Sequence, residues 1–249
     1  MNRLAMTSLF LCASFGMISF SSSSEHTKVT ASGNKSSAES QADNGDTFVY
    51  ADFEKIAPDK RPLSKRGGWT QLTAYQESTP PHYKNVANLN PPAPERVRLS
   101  NGHGAITFDY ELFAPNRYSG VGVKVDGQEA KDRKPVADDL SAYKFLVMDI
   151  YVTGEPAPGV PALRLECEAH GQGLGLDSGF PQVIFRVKPG LNTYKIPLKN
   201  LSQPTWVQTR VSAAEVLKKL TAVSITAFCD GGCTPVHGTV VIDDIVFQK

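Results

Sequence analysis

The sequence predicts an all-β protein in which two antiparallel β-sheets pack as a sandwich or jelly roll, with one short helix. Apolar and polar residues alternate with a period of two in several segments, which is the pattern of strands with one buried face. The 20 glycines and 17 prolines are scattered between these segments, as expected of strands joined by turns. The short spacings between segments favour hairpins within two packed sheets.

Four strands follow directly from this alternation. Residues 105–112, 121–125 and 183–187 each carry apolar side chains at every second position. Residues 163–170 do the same and leave a charged face opposite the apolar one. That charged face consists of Arg164, Glu166, Glu168 and His170. Each segment is predicted to be a half-buried antiparallel strand.

Two more strands and the helix complete the prediction. Residues 145–152 are apolar on one face and mixed on the other, which predicts a central strand covered partly on both sides, with Asp149 as the exception. Residues 239–247 form the closing strand. Ser212 with Glu215 three residues later is a capping box, which predicts the start of a helix. The apolar side of that helix is formed by Val216, Leu217 and Leu220.

The first 24 residues have the order of a secretory signal peptide. Arg3 supplies a positive charge, residues 4–20 are uncharged, and serines follow at 21–24. We expect cleavage within these serines and a secreted, periplasmic or extracellular protein without a membrane span; an uncleaved anchor is the alternative. Residues 25–47 are polar and are expected to be a disordered linker, which leaves 48–249 as one domain.

The charge pattern and the motifs exclude several functions. The chain has 26 basic and 25 acidic residues without a block of one sign, so neither a nucleic-acid surface nor a polybasic membrane patch is indicated. No nucleophile elbow, metalloprotease, P-loop or dinucleotide motif occurs in a suitable context. Catalytic carboxylates of glycosidases usually come from different strands, so a hydrolase stays open as a less favoured alternative.

Three cysteines remain when Cys12 is removed with the signal peptide. Cys229 and Cys233 flank a sequence with two glycines, and we expect a disulfide between them in an oxidising compartment. Cys167 would then be a buried free thiol. A bridge from Cys167 to either partner and a metal site at the CxxxC spacing are the alternatives.

Six short motifs occur in an informative order. They are YADFE at 50–54, GGW at 67–69, YSGVGV at 118–123, DLSAYK at 139–144, YKIPL at 194–198 and VIDDIVF at 241–247. This succession resembles the galactose-binding-like jelly rolls, and most closely the family-eleven carbohydrate-binding modules and the complex I intermediate-associated protein family. The resemblance covers residues 48–249. It implies a concave sheet face that binds a β-glucan and a structural calcium ion between the first and last strands.

The sequence offers candidates for both implied sites. A sugar has an apolar ring face and hydroxyl edges, so its binding surface needs aromatic rings and planar polar groups. We expect hydrogen bonds from Asp149, Tyr151, Arg164, Glu166, Glu168, His170 and Arg186, with Trp69 and Tyr75 as stacking platforms. A solvated sheet face with cross-strand charge pairs and a buried Trp69 are the alternatives.

Carboxylates near the first and last strands have the hard oxygens that calcium requires. We expect Glu54 and Asp244 to hold the ion, with Asp52 beside them. Asp243 and Asp244 would point to opposite faces of a regular strand, so both are not expected to serve one ion.

These features predict an exported, non-catalytic carbohydrate-binding module whose partner is a polysaccharide such as a β-glucan. A cell-envelope interaction or assembly protein with the same sandwich, and a component of a glucan-degrading enzyme, are the alternatives. A face lined by aromatic and acidic residues would indicate a sugar, whereas a flat apolar patch would indicate a protein partner.

Overall fold

The computed structural model describes residues 45–58, 62–76, 95–98, 103–112, 118–128, 134–154, 161–230 and 236–249. Within these ranges the chain forms eleven strands, one α-helix and one 3-10 turn at Leu198–Asn200. The strands are β1 (Thr47–Ala51), β2 (Thr70–Gln76), β3 (Glu95–Arg98), β4 (Gly104–Leu112), β5 (Tyr118–Asp126), β6 (Phe145–Val152), β7 (Ala162–Glu168), β8 (Gln182–Arg186), β9 (Gly190–Pro197), β10 (Ala222–Asp230) and β11 (Val236–Gln248), and the helix is α1 (Ala213–Leu217).

The strands form two antiparallel sheets. The first sheet has the order β3-β4-β11-β6-β9, and β1 also pairs with β11. The second sheet has the order β2-β5-β10-β7-β8. This architecture confirms the predicted all-β sandwich with one short helix. Within the described ranges, no helix combines the length and the apolar character needed to cross a membrane.

The core lies between the two sheets. Leu146, Met148, Ile150 and Val152 of β6 face Leu163, Leu165 and Cys167 of β7 and Val223, Ile225 and Ala227 of β10, and all are fully buried. Burial of one leucine or isoleucine side chain stabilises a fold by about 1.5–3 kcal/mol. Because strand side chains alternate, the remaining residues of each strand project away from the core on the outward faces of the two sheets.

The helix begins as its capping box predicts. The Ser212 hydroxyl accepts a hydrogen bond from the backbone N–H of Glu215 at 3.2 Å, and the Glu215 carboxylate accepts one from the Ser212 N–H at 2.7 Å. Val216 and Leu217 are buried, so the short helix closes one part of the core.

Strand β11 contains a bulge. Its register with β6 shifts between Asp243 and Val246, and Asp244 has a left-handed backbone with φ of 49°. Aspartate tolerates this region better than most residues. The bulge reorients the side chains at the centre of the first sheet.

Candidate functional site

The outward face of the second sheet, here called the second-sheet face, carries most of the predicted sugar-binding residues. Two rows of residues that pair across the strands define its centre. One row is Lys124, Ser224, Glu166 and Gln182, and the other is Gly122, Thr226, Arg164 and Ile184. Ser224 and Thr226 project away from the core and yet are only 5% and 2% exposed. The centre of this face is therefore shielded from bulk solvent.

Glu168 is the hub of one charged network on this face. Its Oε1 accepts a hydrogen bond from the Ser224 hydroxyl, and its Oε2 contacts His170 Nε2 and lies 3.5 Å from Lys124 Nζ. Burial alone would raise the pKa of Glu168, but the His170 hydrogen bond and the Lys124 charge bring it below its usual value. Glu168 is thus held as a carboxylate with both oxygens engaged.

Glu166 is the hub of a second network. Its Oε1 accepts a hydrogen bond from the Phe180 N–H at 3.0 Å, and its Oε2 lies 3.6 Å from Arg164 Nη2. The Arg164 guanidinium lies over the Phe228 ring, 5.1 Å from its centroid. Burial raises the pKa of Glu166 to about 7. The positive charge of the neighbouring Arg164 opposes this rise but cancels only part of it.

Two predicted residues stand at the two edges of the same face. Trp69 immediately precedes β2, its carbonyl accepts the Asp126 N–H at 2.9 Å, and its side chain is 45% exposed. The buried alternative for Trp69 is therefore wrong. Arg186 of β8 is exposed at the other edge. Tyr75 pairs with Gly120 in the β2–β5 register, which places its backbone in this sheet.

Asp149 and Tyr151 do not lie beside these residues, so the prediction that they extend the Arg164–His170 surface is wrong. Their strand β6 belongs to the first sheet, whereas β7 belongs to the second. The two outward faces are separated by the whole core. Asp149 instead accepts a hydrogen bond from the Thr193 hydroxyl of β9.

Acidic residues gather on the outward face of the first sheet. His103, Asp243 and Asp244 bring ligand-capable atoms within 4.8 Å of one another, and we call these three with Asp149 and Glu54 the acidic cluster. The expectation that Asp243 and Asp244 point apart is wrong, because the left-handed Asp244 interrupts the regular alternation of β11. Burial and the neighbouring carboxylates raise the pKa of Asp243 to about 8.

Glu54 of the acidic cluster and the nearby Asp52 both lie in the segment after β1. Glu54 Oε1 accepts the Gly104 N–H at 2.5 Å. Asp52 forms an ion pair with Lys65 and accepts the Glu54 N–H at 3.4 Å. Both carboxylates raise the pKa of Asp244, although its burial is the larger cause. The predicted residues and the bulge thus share one negative region.

The described chain contains a free, buried thiol at Cys167, as predicted. The predicted Cys229–Cys233 bridge lies outside the residues whose side chains are described.

Sequence reasoning missed Lys124, Asp126 and Ser224 of the second-sheet face. Burial raises the pKa of Asp126, and Glu168 adds to this effect while Lys124 opposes it. These residues occupy the more polar positions of the alternating pattern in β5 and β10. Lys124, for example, stands between Val123 and Val125 in β5, and this pattern could have indicated them. His103 carried no pattern that connects it with the distant Asp243.

No protein-family model matches the sequence, and no curated protein matches it. The chain is similar in fold to family 11 carbohydrate-binding modules. The module of a cellulosomal cellulase from Clostridium thermocellum overlaps with a TM-score of 0.44 at 12% identity, over 81% of this chain and 94% of that one. A family 30 module from the same organism gives 0.42 at 14% identity, over 74% and 94%. An exo-β-agarase gives 0.42 at 14% identity, over 81% of this chain and 25% of the agarase. These resemblances extend to strand arrangement alone.

Proposed function

We propose that the protein binds a polysaccharide, such as a β-glucan, through the second-sheet face. One observation carries this function: Arg164, Glu166 and Glu168 project from the sheet, yet their side chains are only 16%, 12% and 10% exposed and are fixed by internal hydrogen bonds or ion pairs. A freely solvated surface does not have this property. Polar groups that are already held in place lose little conformational freedom when a ligand binds.

The chemistry of the face suits sugar hydroxyls. Arg164 and Lys124 are donors in adjacent cross-strand rows, and the carboxylate oxygens of Glu166 and Glu168 have acceptor capacity beyond their internal hydrogen bonds, since a carboxylate offers about four lone pairs. Charged hydrogen bonds of this kind are stronger than neutral ones. The exposed Trp69 indole at the β2 edge supplies the apolar surface that a pyranose ring requires.

A protein partner in the cell envelope is the second candidate, but the exposed apolar residues favour it less. Among the described residues, the large exposed apolar side chains are spread over the chain. Ile184 lies in the second-sheet face, Trp69 and Trp206 lie on opposite sides of its charged centre, and Ile56, Val136 and Leu191 lie on other elements. Scattered apolar residues are usual on soluble surfaces, whereas protein interfaces need a contiguous patch.

We propose binding rather than hydrolysis. Both oxygens of Glu168 and one oxygen of Glu166 already accept hydrogen bonds within the protein. One observation favours the alternative of a glucan-degrading component: the pKa of Glu166 is raised, whereas the pKa of its neighbour Glu168 is lowered. Two carboxyl groups with pKa values shifted in opposite directions could act as an acid and a base. Release of reducing ends from the bound glucan would decide for hydrolysis; we expect none.

We also propose export, with a leader at residues 1–24 and a linker at 25–47. The support is the charge and apolar order of the first 24 residues. Intact-mass measurement of the exported protein should show cleavage within Ser21–Ser24. Exported material that retains residues 1–20 would contradict this.

A structural calcium ion at the acidic cluster is part of the proposal. The carboxylates of Asp243, Asp244 and Asp149 supply hard oxygens, with Glu54 close by, and this donor set fits calcium. The nitrogen of His103 is a poor calcium ligand and would border the ion. A cation here would offset the repulsion that raises the pKa of Asp243.

Affinity electrophoresis in gels that contain β-glucans tests the binding function. The wild-type protein should be retarded, and Arg164→Ala should be retarded less. Lys195→Ala is the matched control, because Lys195 also covers an aromatic ring, Phe145 at 4.2 Å, but lies on the first sheet. Free migration of the wild-type protein in every glucan would reject the function and favour the protein partner.

A further inference from the structure

We propose that Trp206 is a stacking platform for a sugar ring at the β8 edge of the second-sheet face, so that the bound polysaccharide extends past the edge of the sheet. This inference rests on the proposed binding function. Trp206 is the most exposed of the large apolar side chains described, at 68%. Trp206 was not among the residues that the sequence predicted to bind sugar.

The loop that carries Trp206, residues 201–211, is internally fixed. The Gln203 amide donates to the carbonyls of Gly179 and Thr209 at 3.1 and 3.2 Å and accepts the Val211 N–H at 2.8 Å. The Arg210 guanidinium donates to two further carbonyls of this loop at 3.0 Å each. A tryptophan on such a loop is presented in a defined position.

Gly179 supports the indole from one side. A Cβ at Gly179 would lie 2.8 Å from Cη2 of Trp206 and would also collide with Val207. The indole therefore lies close against bare backbone while most of its surface remains exposed. The tip of the ring is thus held in place while the rest of the indole is accessible to a sugar ring.

The loop is continuous with the charged centre of the second-sheet face. Ser202 exchanges two backbone hydrogen bonds of 2.9 Å with Gln182, which itself pairs with Glu166. Phe180, the residue after Gly179, donates its N–H to Glu166. The row from Lys124 to Gln182 thus continues by one strand spacing to Ser202, close to Trp206.

The two tryptophans of the chain are therefore attached at opposite edges of the second sheet. Trp69 precedes edge strand β2, and the Trp206 loop adjoins edge strand β8. Five spacings of about 4.8 Å separate β2 from Ser202, which gives about 24 Å. A ligand that reaches both platforms must be an oligosaccharide or polysaccharide rather than a single sugar.

Single-tryptophan variants test the inference, because the chain has only 2 tryptophans. In Trp69→Phe all indole emission comes from Trp206. Addition of soluble mixed-linkage β-glucan or hydroxyethyl cellulose should shift this emission to shorter wavelength and reduce acrylamide quenching. Trp206→Ala should weaken retardation in glucan gels about tenfold, whereas Leu191→Ala, which removes a 50% exposed side chain from the first sheet, should leave it unchanged.

The outcomes separate this inference from the proposed function. If the wild-type protein and Trp206→Ala are retarded equally and Trp206 emission does not respond, Trp206 is not a platform and the binding function stands. If the wild-type protein is retarded by no glucan, both proposals fall. An equal melting temperature of Trp206→Ala and wild type excludes misfolding as the cause of weaker binding.

Discussion

The backbone N–H of Phe180 donates a hydrogen bond to Oε1 of Glu166 at 3.0 Å across 14 residues of sequence. This bond joins the end of the glycine-rich segment 171–179 to β7, and the other oxygen of Glu166 lies 3.6 Å from Arg164 Nη2. The same carboxyl is largely buried, and its raised pKa makes its charge state sensitive to pH near neutrality.

Replacement of Glu166 by glutamine should flatten the pH dependence of stability. The pKa of Glu166 is about 7 in the folded protein and 4.5 as an ordinary value, so between these pH values the folded state binds more protons than the unfolded state. Stability therefore falls as pH rises through this window. Urea unfolding measures the free energy of unfolding at pH 5 and at pH 8. The decrease in this free energy between the two pH values should be smaller by about 2 kcal/mol in Glu166→Gln than in wild type. Exposed Asp177→Asn is the control, and equal losses in wild type and Glu166→Gln would contradict the prediction.

Arg164→Ala should weaken glucan binding by about ten- to a hundredfold, because a charged hydrogen bond contributes about 1.5–3 kcal/mol. Isothermal titration with an oligosaccharide of the retarding glucan measures the change. If Lys195→Ala loses as much affinity as Arg164→Ala, the binding surface is not the second-sheet face.

A chelator should lower the melting temperature of the wild-type protein. A ligand bound only by the folded state at a hundredfold excess over its Kd stabilises that state by about 2.7 kcal/mol. Asp244→Asn should melt lower than wild type and should not respond to the chelator, since asparagine tolerates the left-handed backbone but lacks the charge. An unchanged wild-type melting curve together with no metal by elemental analysis would remove the calcium ion.

Gly179→Ala should destabilise the protein more than Gly173→Ala and should weaken glucan binding as well. The two glycines have similar φ values of 71° and 73°, so the backbone cost of alanine is matched. A Cβ at Gly173 meets nothing within 4 Å, whereas one at Gly179 collides with Trp206 and Val207. Thermal melting and glucan gels compare the pair; equal effects would show that the collision does not matter.

The cysteines should separate into two chemical classes. Burial raises the pKa of the Cys167 thiol far above its usual value, so iodoacetamide should modify it only after unfolding. Peptide mapping without reductant should also recover Cys229 linked to Cys233. A peptide that joins Cys167 to either of them would contradict both expectations.

Much of the fold could be predicted from alternation alone. The predicted strand at 145–152 matches β6, and the strands at 105–112 and 163–170 begin within one residue of β4 and β7. These strands have one face in the core and one more polar face, so apolar and polar residues alternate clearly along their sequences. Strand β10 was not predicted, because small residues such as Ser224 and Thr226 are buried on its outward face and the contrast is weak.

The candidate site was predicted only in part, because alternation says which way a side chain points but not which sheet contains the strand. Strands β6 and β7 are consecutive in sequence and belong to different sheets, which is why Asp149 was assigned to the wrong surface. The bulge at Asp244 also lay beyond the pattern, since its backbone depends on the contacts around it.

The order of the strands along the chain has a consequence for how the protein acquires its structure. Strand β10 lies between β5 and β7, and β11 lies between β4 and β6, so the innermost strand of each sheet is one of the last two described strands in chain order. Until β11 emerges from the ribosome, β4 and β6 lack the strand that lies between them. Until β10 emerges, the same is true of β5 and β7. The core between the two sheets therefore closes only after both of these strands are available, because each sheet is completed by contacts between strands that are distant in sequence.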